Sequence, residues 1–298
     1  MSATTPAEVK RPEAMEAGGT SIPSADGAIG RRKLPRNLVI GAWLLIAWMA
    51  LAVAGPLLLG SPTTMDLLHS LRPPSLAFPF GTDNLGRGVL TRVIWGAHLD
   101  LEIGFFTVAP AFFIGSTLGL LAGYFGGVIE TVVMRLVDIA VAFPFLVIVI
   151  AIVAVLGPGL GNMYIAVAMV GWVSYARITR AETLLAKRLE YAEAARLLGL
   201  PDRRVLLRHL LPNVIPQAVI YASSDVILGI FLGSSLGFLG LGAQPPSPEW
   251  GLIIADGYSF VDRAPWISAF PGLAIVLLAI SFSLFGDGLA DLLRPETR

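Results

Sequence analysis

The stretch YAEAARLLGLPDRRVLLRHLLP, residues 191–212, is charged and amphipathic within a chain that is otherwise largely apolar. Of 298 residues, 55% are hydrophobic and 14% charged, where a soluble globular domain carries roughly 25% charged residues. Such a composition belongs to a membrane protein, and residues 191–212 then read as an insert between spans. The formal net charge is zero, so no overall basic field points to nucleic acid. Cysteine is absent, which excludes disulfides, thiolate catalysis and Cys-ligated metals. His69, His98 and His209 lie far apart without an H-E-x-x-H spacing, so no histidine metal site is expected. Lys10, Lys33 and Lys187 follow Val9, Arg32 and Ala186. No Gly-Lys pair is therefore available for a phosphate-cradling loop, and the chain is not expected to hydrolyse ATP itself.

Outward from the insert, apolar runs mark six spans. The first, residues 38–59, is 22 residues long, beyond the roughly 7–15 of a signal peptide's apolar region, so an uncleaved span is favoured over a leader. Five more follow near 101–124, 136–156, 163–176, 214–241 and 266–289. The fourth is short and spans only if its helix continues through Arg177 with arginines reaching the surface. With the N-terminus inside, 17 of the 21 Lys and Arg residues fall on the inner side; the outer four are Arg72, Arg87, Arg92 and Arg263. The excess of positive charge places both termini and the insert in the cytoplasm. The expected organisation is a disordered cytoplasmic tail over 1–36, a first transmembrane helix over 37–60 and an extracytoplasmic loop over 61–100. A core over 101–291 with five further helices, containing the insert at 177–212, and a cytoplasmic C-terminus over 292–298 complete it.

Within the insert, a helix from Ala181 is expected to turn Leu184, Leu185, Leu189, Ala192, Ala195 and Leu198 to one apolar face. Gly199 closes it in the left-handed conformation, and Pro201 cannot continue it. Asp202 is placed to cap a second short helix carrying Arg203, Arg204 and Arg208, which ends at Leu211 and Pro212. Two such helices cannot bury a core of their own. The residues leave two uses open: docking to another protein, or packing on the membrane surface or beneath the bundle.

A resemblance narrows that choice. Glu193-Ala194-Ala195, then Gly199, then Leu211-Pro212 resemble the cytoplasmic-loop signature of permease subunits of bacterial ABC importers. The passages FGTDNLGRGVLTRVIWGAHLDL, GFLGLGAQPPSPEWG and FPGLAIVLLAISFSLFGDGLADLLRP are similar to the second permease subunit of the oligopeptide, dipeptide and nickel branch. Gly88, His98 and Gly233 depart from the residues usual in that branch. The resemblance spans about residues 80–296. It implies a type I importer fold and a coupling helix seated in an ATPase subunit, with Glu193, Ala194, Ala195, Gly199, Arg203, Arg204, Leu211 and Pro212 as the coupling set. It also implies a homologous second permease, two ATPase subunits or a fused pair that bind the ATP and magnesium, and an extracytoplasmic substrate-binding protein, all at a bacterial inner membrane. No cofactor, metal or nucleic acid is expected on this chain itself. Di- or oligopeptides are the expected cargo, with nickel or another small solute as the alternative.

Other residues suggest local roles. Asp225, midway along the fifth span, either lines the path or is a carboxyl bonded to a neighbouring helix. Ser234 and Ser235, further along the same span, are expected with Asp225 on the substrate path; they lie in Gly233-Ser234-Ser235-Leu236-Gly237, a G-x-S-x-G pattern. Inside a helix that pattern reads as small residues permitting close packing, not as a nucleophile. A secondary transporter coupled through Asp225 and an intramembrane hydrolase are the rival classes. Arg135 and Asp138 are expected to pair along one helix, Pro144 to kink the third span, Thr82 or Asp83 to cap a helix, and Trp250 to sit at the membrane interface. Asp287 and Asp291 read as interfacial charges.

Overall fold

Residues 34–293 are described by the structure, a computed structural model. The expected tail up to Lys33 and the residues beyond Leu293 lie outside them. The described residues form helices α1 (Arg36–Leu58), α2 (Val89–Phe125), α3 (Gly127–Val141), α4 (Phe145–Leu156) and α5 (Leu160–Ala186). There follow α6 (Glu190–Leu197), α7 (Asp202–Arg204), a π-helical turn (Val205–Leu210), α8 (Leu211–Phe238), α9 (Trp250–Tyr258) and α10 (Trp266–Leu293).

By length and composition α1, α2, α10 and the continuous run from Asp202 to Phe238 can each cross a membrane, and α3 with α4 can form one span bent by 88°. At 27 residues α5 is long enough, about 40 Å at 1.5 Å per residue. Arg177, Arg180 and Glu182 make it more polar than the others. It occupies the place of the expected fourth span and does continue through Arg177.

Small residues draw these helices together. On α2, Gly115, Gly119 and Gly123 recur every four residues along α5, and a Cβ on them would lie 2.2 Å from the Trp172 carbonyl oxygen, 2.4 Å from that of Ala176 and 2.7 Å from Thr183 Cβ. On α8, Gly229, Gly233 and Gly237 meet Thr107, Ile103 and Glu249 in the same way. The Gly-Ser-Ser-Leu-Gly run is therefore packing, as read from the sequence. Gly41 of α1 and Gly288 of α10 lie against backbone atoms of each other's helix.

Several local expectations are corrected. Pro144 does more than kink the third span: the helix stops at Val141 and restarts at Phe145, since Pro144 cannot donate to the ladder and disfavours helical backbone at Phe143. Arg135 and Asp138 form no ion pair; the pair nearby is Arg180 with Glu130. Neither Thr82 nor Asp83 caps a helix, because α2 begins at Val89 with Gly88 as its N-cap. Thr82 Oγ1 instead donates to the His69 carbonyl. Buried Asp83 accepts from Arg87 Nε at 2.6 Å and Arg92 Nη1 at 2.8 Å. Both arginines also reach Asp256 on α9, at 3.3 and 3.1 Å. This four-charge network ties the loop before α2 to α9. Trp250 is fully buried, not interfacial: its Nε1 donates to the Val93 carbonyl at 2.8 Å, and its ring meets Trp48 edge-on.

Candidate functional site

The insert begins where α5 stops at Ala186, and the continuous helix expected from Ala181 is broken at residues 187–189. Leu189 is the N-cap of α6. The predicted corner is present: Gly199 has φ +71°, its N–H donates to the Arg196 carbonyl at 2.9 Å, and the Leu200 N–H donates to the Ala195 carbonyl at 3.2 Å. These two bonds form a Schellman closure, which only a residue at ease with positive φ completes without strain. Pro201, not Asp202, is the N-cap of α7. The second helix does not end at Leu211 and Pro212 but runs through the π turn into α8, of which Pro212 is the second residue.

The insert's inner face is narrower than the spacing of its leucines suggests. Ala192, Ala195, Val205, Leu206 and Leu210 pack on Leu120 of α2, Ala186 of α5 and Val214 of α8. Leu185, Leu189 and Leu198, expected on the buried face, are exposed, and Leu197 and Leu198 stand 88% and 80% open beside the corner. Of the predicted coupling residues, Glu193, Ala194, Gly199, Arg203, Arg204 and Pro212 are exposed, Leu211 is half-buried and Ala195 is buried. The outer surface of the insert thus joins Glu193, two exposed leucines and two arginines around one corner.

Three polar contacts hold this surface to the spans. Tyr124 at the end of α2 donates to Asp202 Oδ1 at 2.5 Å, and the Arg196 guanidinium lies 5.0 Å above the Tyr124 ring. Lys187 Nζ donates to the Gly123 carbonyl at 2.7 Å. One side of the insert can therefore engage a partner while the other moves with α2, α5 and α8.

The residues expected to line a path do not all lie together. Asp225 and Ser235 border one cavity of about 590 Å³ between α2, the α3–α4 bend, α5 and α8. Buried Tyr175 donates its hydroxyl to Asp225 Oδ2 at 2.8 Å. Ser234 is buried away from that cavity and donates to Asp100 Oδ1 at 3.3 Å. Asp225 is also not the only deep carboxylate. Asp100 is fully buried in α2 and accepts the Trp250 N–H, while buried Glu249 caps α9 by accepting from the Gly251 and Leu252 N–H groups at 2.7 and 2.8 Å. Burial pushes the Glu249 carboxyl above its ordinary value, against those two bonds. Sequence reasoning missed Tyr124 and Tyr175, since a tyrosine at a helix end or in a core carries no motif. Among the described residues, no three His, Asp or Glu side chains gather to hold a metal ion.

The signature of the binding-protein-dependent transport system inner membrane component matches residues 115–298, from the middle of α2 through the insert and all later helices. The chain belongs to that family. This inner membrane component is accordingly a multi-pass membrane protein. It is 39% identical over 270 residues to a dipeptide transport system permease protein of Alkalihalophilus pseudofirmus, with 90% of this chain and 89% of that one covered. A glutathione transport system permease protein of Pectobacterium atrosepticum is 42% identical over 76% of this chain and 75% of its own. A probable D,D-dipeptide transport system permease protein of Escherichia coli K12 is 39% identical over 87% of both. Among solved structures, an inward-facing methionine ABC transporter chain superposes on the inner membrane component with a TM-score of 0.56 at 20% identity, covering 69% of this chain and 98% of that one. That similarity speaks for the fold.

Proposed function

We propose that the chain is a permease subunit of an ATP-driven importer of di- or oligopeptides. It pairs with a homologous second permease and takes its power stroke from two ATPase subunits, which bind ATP and magnesium. The observation that carries this reading is the insert: a family-matched corner at Gly199, with an outward surface of Glu193, Leu197, Leu198, Arg203 and Arg204 and an inward side tied to α2 and α8. A surface built for docking on one side and fastened to spans on the other suits mechanical transmission. Peptide cargo is supported by the transport names of the three relatives. The distribution of Lys and Arg supports an insert facing the cytoplasm, with an extracytoplasmic binding protein delivering cargo to the opposite face.

In this mechanism closure of the ATPases displaces α6 and the corner. Tyr124, Lys187 and the continuous α7–α8 run pass that displacement to α2 and α8 as rigid bodies. Close glycine contacts between α2 and α5 make those two helices move together. The chain does no covalent chemistry; it converts the ATPase's two states into two states of a path. The test is purification of the whole complex with its binding protein and mass spectrometry of the retained ligand. Short peptides are expected, and a uniformly non-peptide ligand would replace the cargo assignment.

A further inference from the structure

We infer that Asp225 and its surroundings form a subsite for an organic ammonium group, the cationic end of a solute crossing the bundle. The inference rests on reading the chain as a permease. It begins with what faces the cavity of about 590 Å³: Asp225, Tyr221, Ser174, Thr107 and Ser235 among apolar walls that include Phe143. Such a volume is typical of small-molecule sites.

Two of the four hydroxyls there have already given their hydrogens to helix carbonyls and face the cavity as acceptors. Thr107 Oγ1 gives its hydrogen to the Ile103 carbonyl at 2.7 Å, and Ser235 Oγ gives its hydrogen to the Phe231 carbonyl at 2.7 Å. Tyr175 spends its hydroxyl hydrogen on Asp225 Oδ2, which fixes the carboxylate's orientation and leaves Oδ1 without a protein donor. No Lys, Arg or His among the described residues pairs with Asp225. A carboxylate with no cationic partner, in a cavity where two hydroxyls present only their lone pairs, favours a donor cation and repels a carboxylate.

The same inventory selects the kind of cation. Calcium and magnesium draw their oxygen ligands chiefly from carboxylates, carbonyls and waters, and one carboxylate with four scattered hydroxyls in an apolar cavity is a poor set for them. An alkylammonium needs about three acceptors for its N–H groups and an apolar wall for its carbon chain. The Tyr221 ring, packed edge-on to Tyr175 with centroids 5.0 Å apart, lines the cavity and adds an aromatic surface of the kind that attracts cations. Asp225 is thus the charge, Tyr175 the residue that orients it, and Tyr221 part of the wall.

The inference is tested on the complete purified complex with two photoreactive probes of equal length, an alkyl-diazirine amine and its alkyl-diazirine alcohol, the labelled residues being mapped by mass spectrometry. In the wild type the amine is expected to label the Asp225 cavity at least about tenfold more than the alcohol, and Asp225→Asn is expected to abolish that preference while Asp225→Glu retains part of it. Equal labelling by the two probes in the wild type, or labelling of neither, overturns the subsite even if the variants fail to assemble. The probes are not peptides, so a wrong peptide assignment leaves this readout intact, and a wild-type complex that imports dipeptides yet shows no amine preference refutes the subsite alone.

Discussion

Tyr124, in the last turn of α2, donates its hydroxyl to Asp202, the first residue of α7, at 2.5 Å. The bond joins a spanning helix to the far side of the Gly199 corner. Tyr124→Phe removes the donor and keeps the ring under Arg196. The pair is solvent-accessible, so folding stability should change by about 1 kcal/mol or less. Uptake per ATP hydrolysed should fall severalfold, the effect of a side chain carrying about 0.5–2 kcal/mol of coupling. Simultaneous measurement of uptake and phosphate release in reconstituted vesicles checks this; an unchanged ratio removes Tyr124 from the transmission.

Gly199 meets no atom within 4 Å where a Cβ would stand, so only its backbone matters. Gly199→Val forces a β-branched residue to φ near +71° at a cost of about 1–3 kcal/mol. The corner should open and hydrolysis should uncouple from uptake. Gly199→Asn, which tolerates that conformation better, should recover most of the coupling. Equal activity of the two variants would show that the corner's geometry is unimportant.

Glu193 is exposed and its side chain has no hydrogen bond or ion pair among the described residues, so Glu193→Lys should lower the thermal midpoint of the complex only slightly, through the first turn of α6. Its effect should be confined to substrate-stimulated ATP hydrolysis, which is expected to drop as the docking surface loses its acidic group. Normal stimulation would move Glu193 out of the coupling set.

Gly119 lies against the Ala176 carbonyl of α5, where an added Cβ would stand 2.4 Å from oxygen. Backbone on both sides cannot yield as a side chain would. Gly119→Ala should cost about 1–3 kcal/mol through overpacking. Thermal unfolding of the solubilised complex reads this directly, and a midpoint equal to wild type would deny the close α2–α5 contact.

Glu249 gives a pH dependence of defined sign. Burial raises its carboxyl above the ordinary 4.5, so between 4.5 and the raised value the folded state holds more protons than the unfolded one. Stability from this group is complete below 4.5 and is lost as pH rises through the raised value. Glu249→Gln should lower the thermal midpoint by removing one of two capping acceptors, and should flatten its fall with rising pH. Parallel pH profiles for the two proteins would contradict this.

Features set by local chemistry were legible in the sequence. The last span starts at Trp266 as read, the first matches α1 to within two residues, and the Gly199 corner forms because the glycine and Pro201 act on their own neighbours. Contacts between distant residues were not legible. Arg92 meets Asp256 164 positions away, and the Trp250 N–H meets Asp100 150 positions away, so Arg92 looked like an outer-side charge and Trp250 like an interfacial anchor. Leu185, Leu189 and Leu198 misled for another reason: periodic leucines normally signal a buried face, yet here they stand exposed. Ser234 and Ser235 are adjacent in sequence, but the helix turns them to different surroundings.

The most direct test of the central claim is peptide uptake into vesicles holding the complete complex, with the ATPase subunits intact or with their hydrolytic residue replaced. Transport mechanically coupled through the insert predicts that uptake of a labelled dipeptide disappears with hydrolysis, while the complex remains assembled. Uptake that persists without hydrolysis would contradict it and favour an ion-coupled carrier instead.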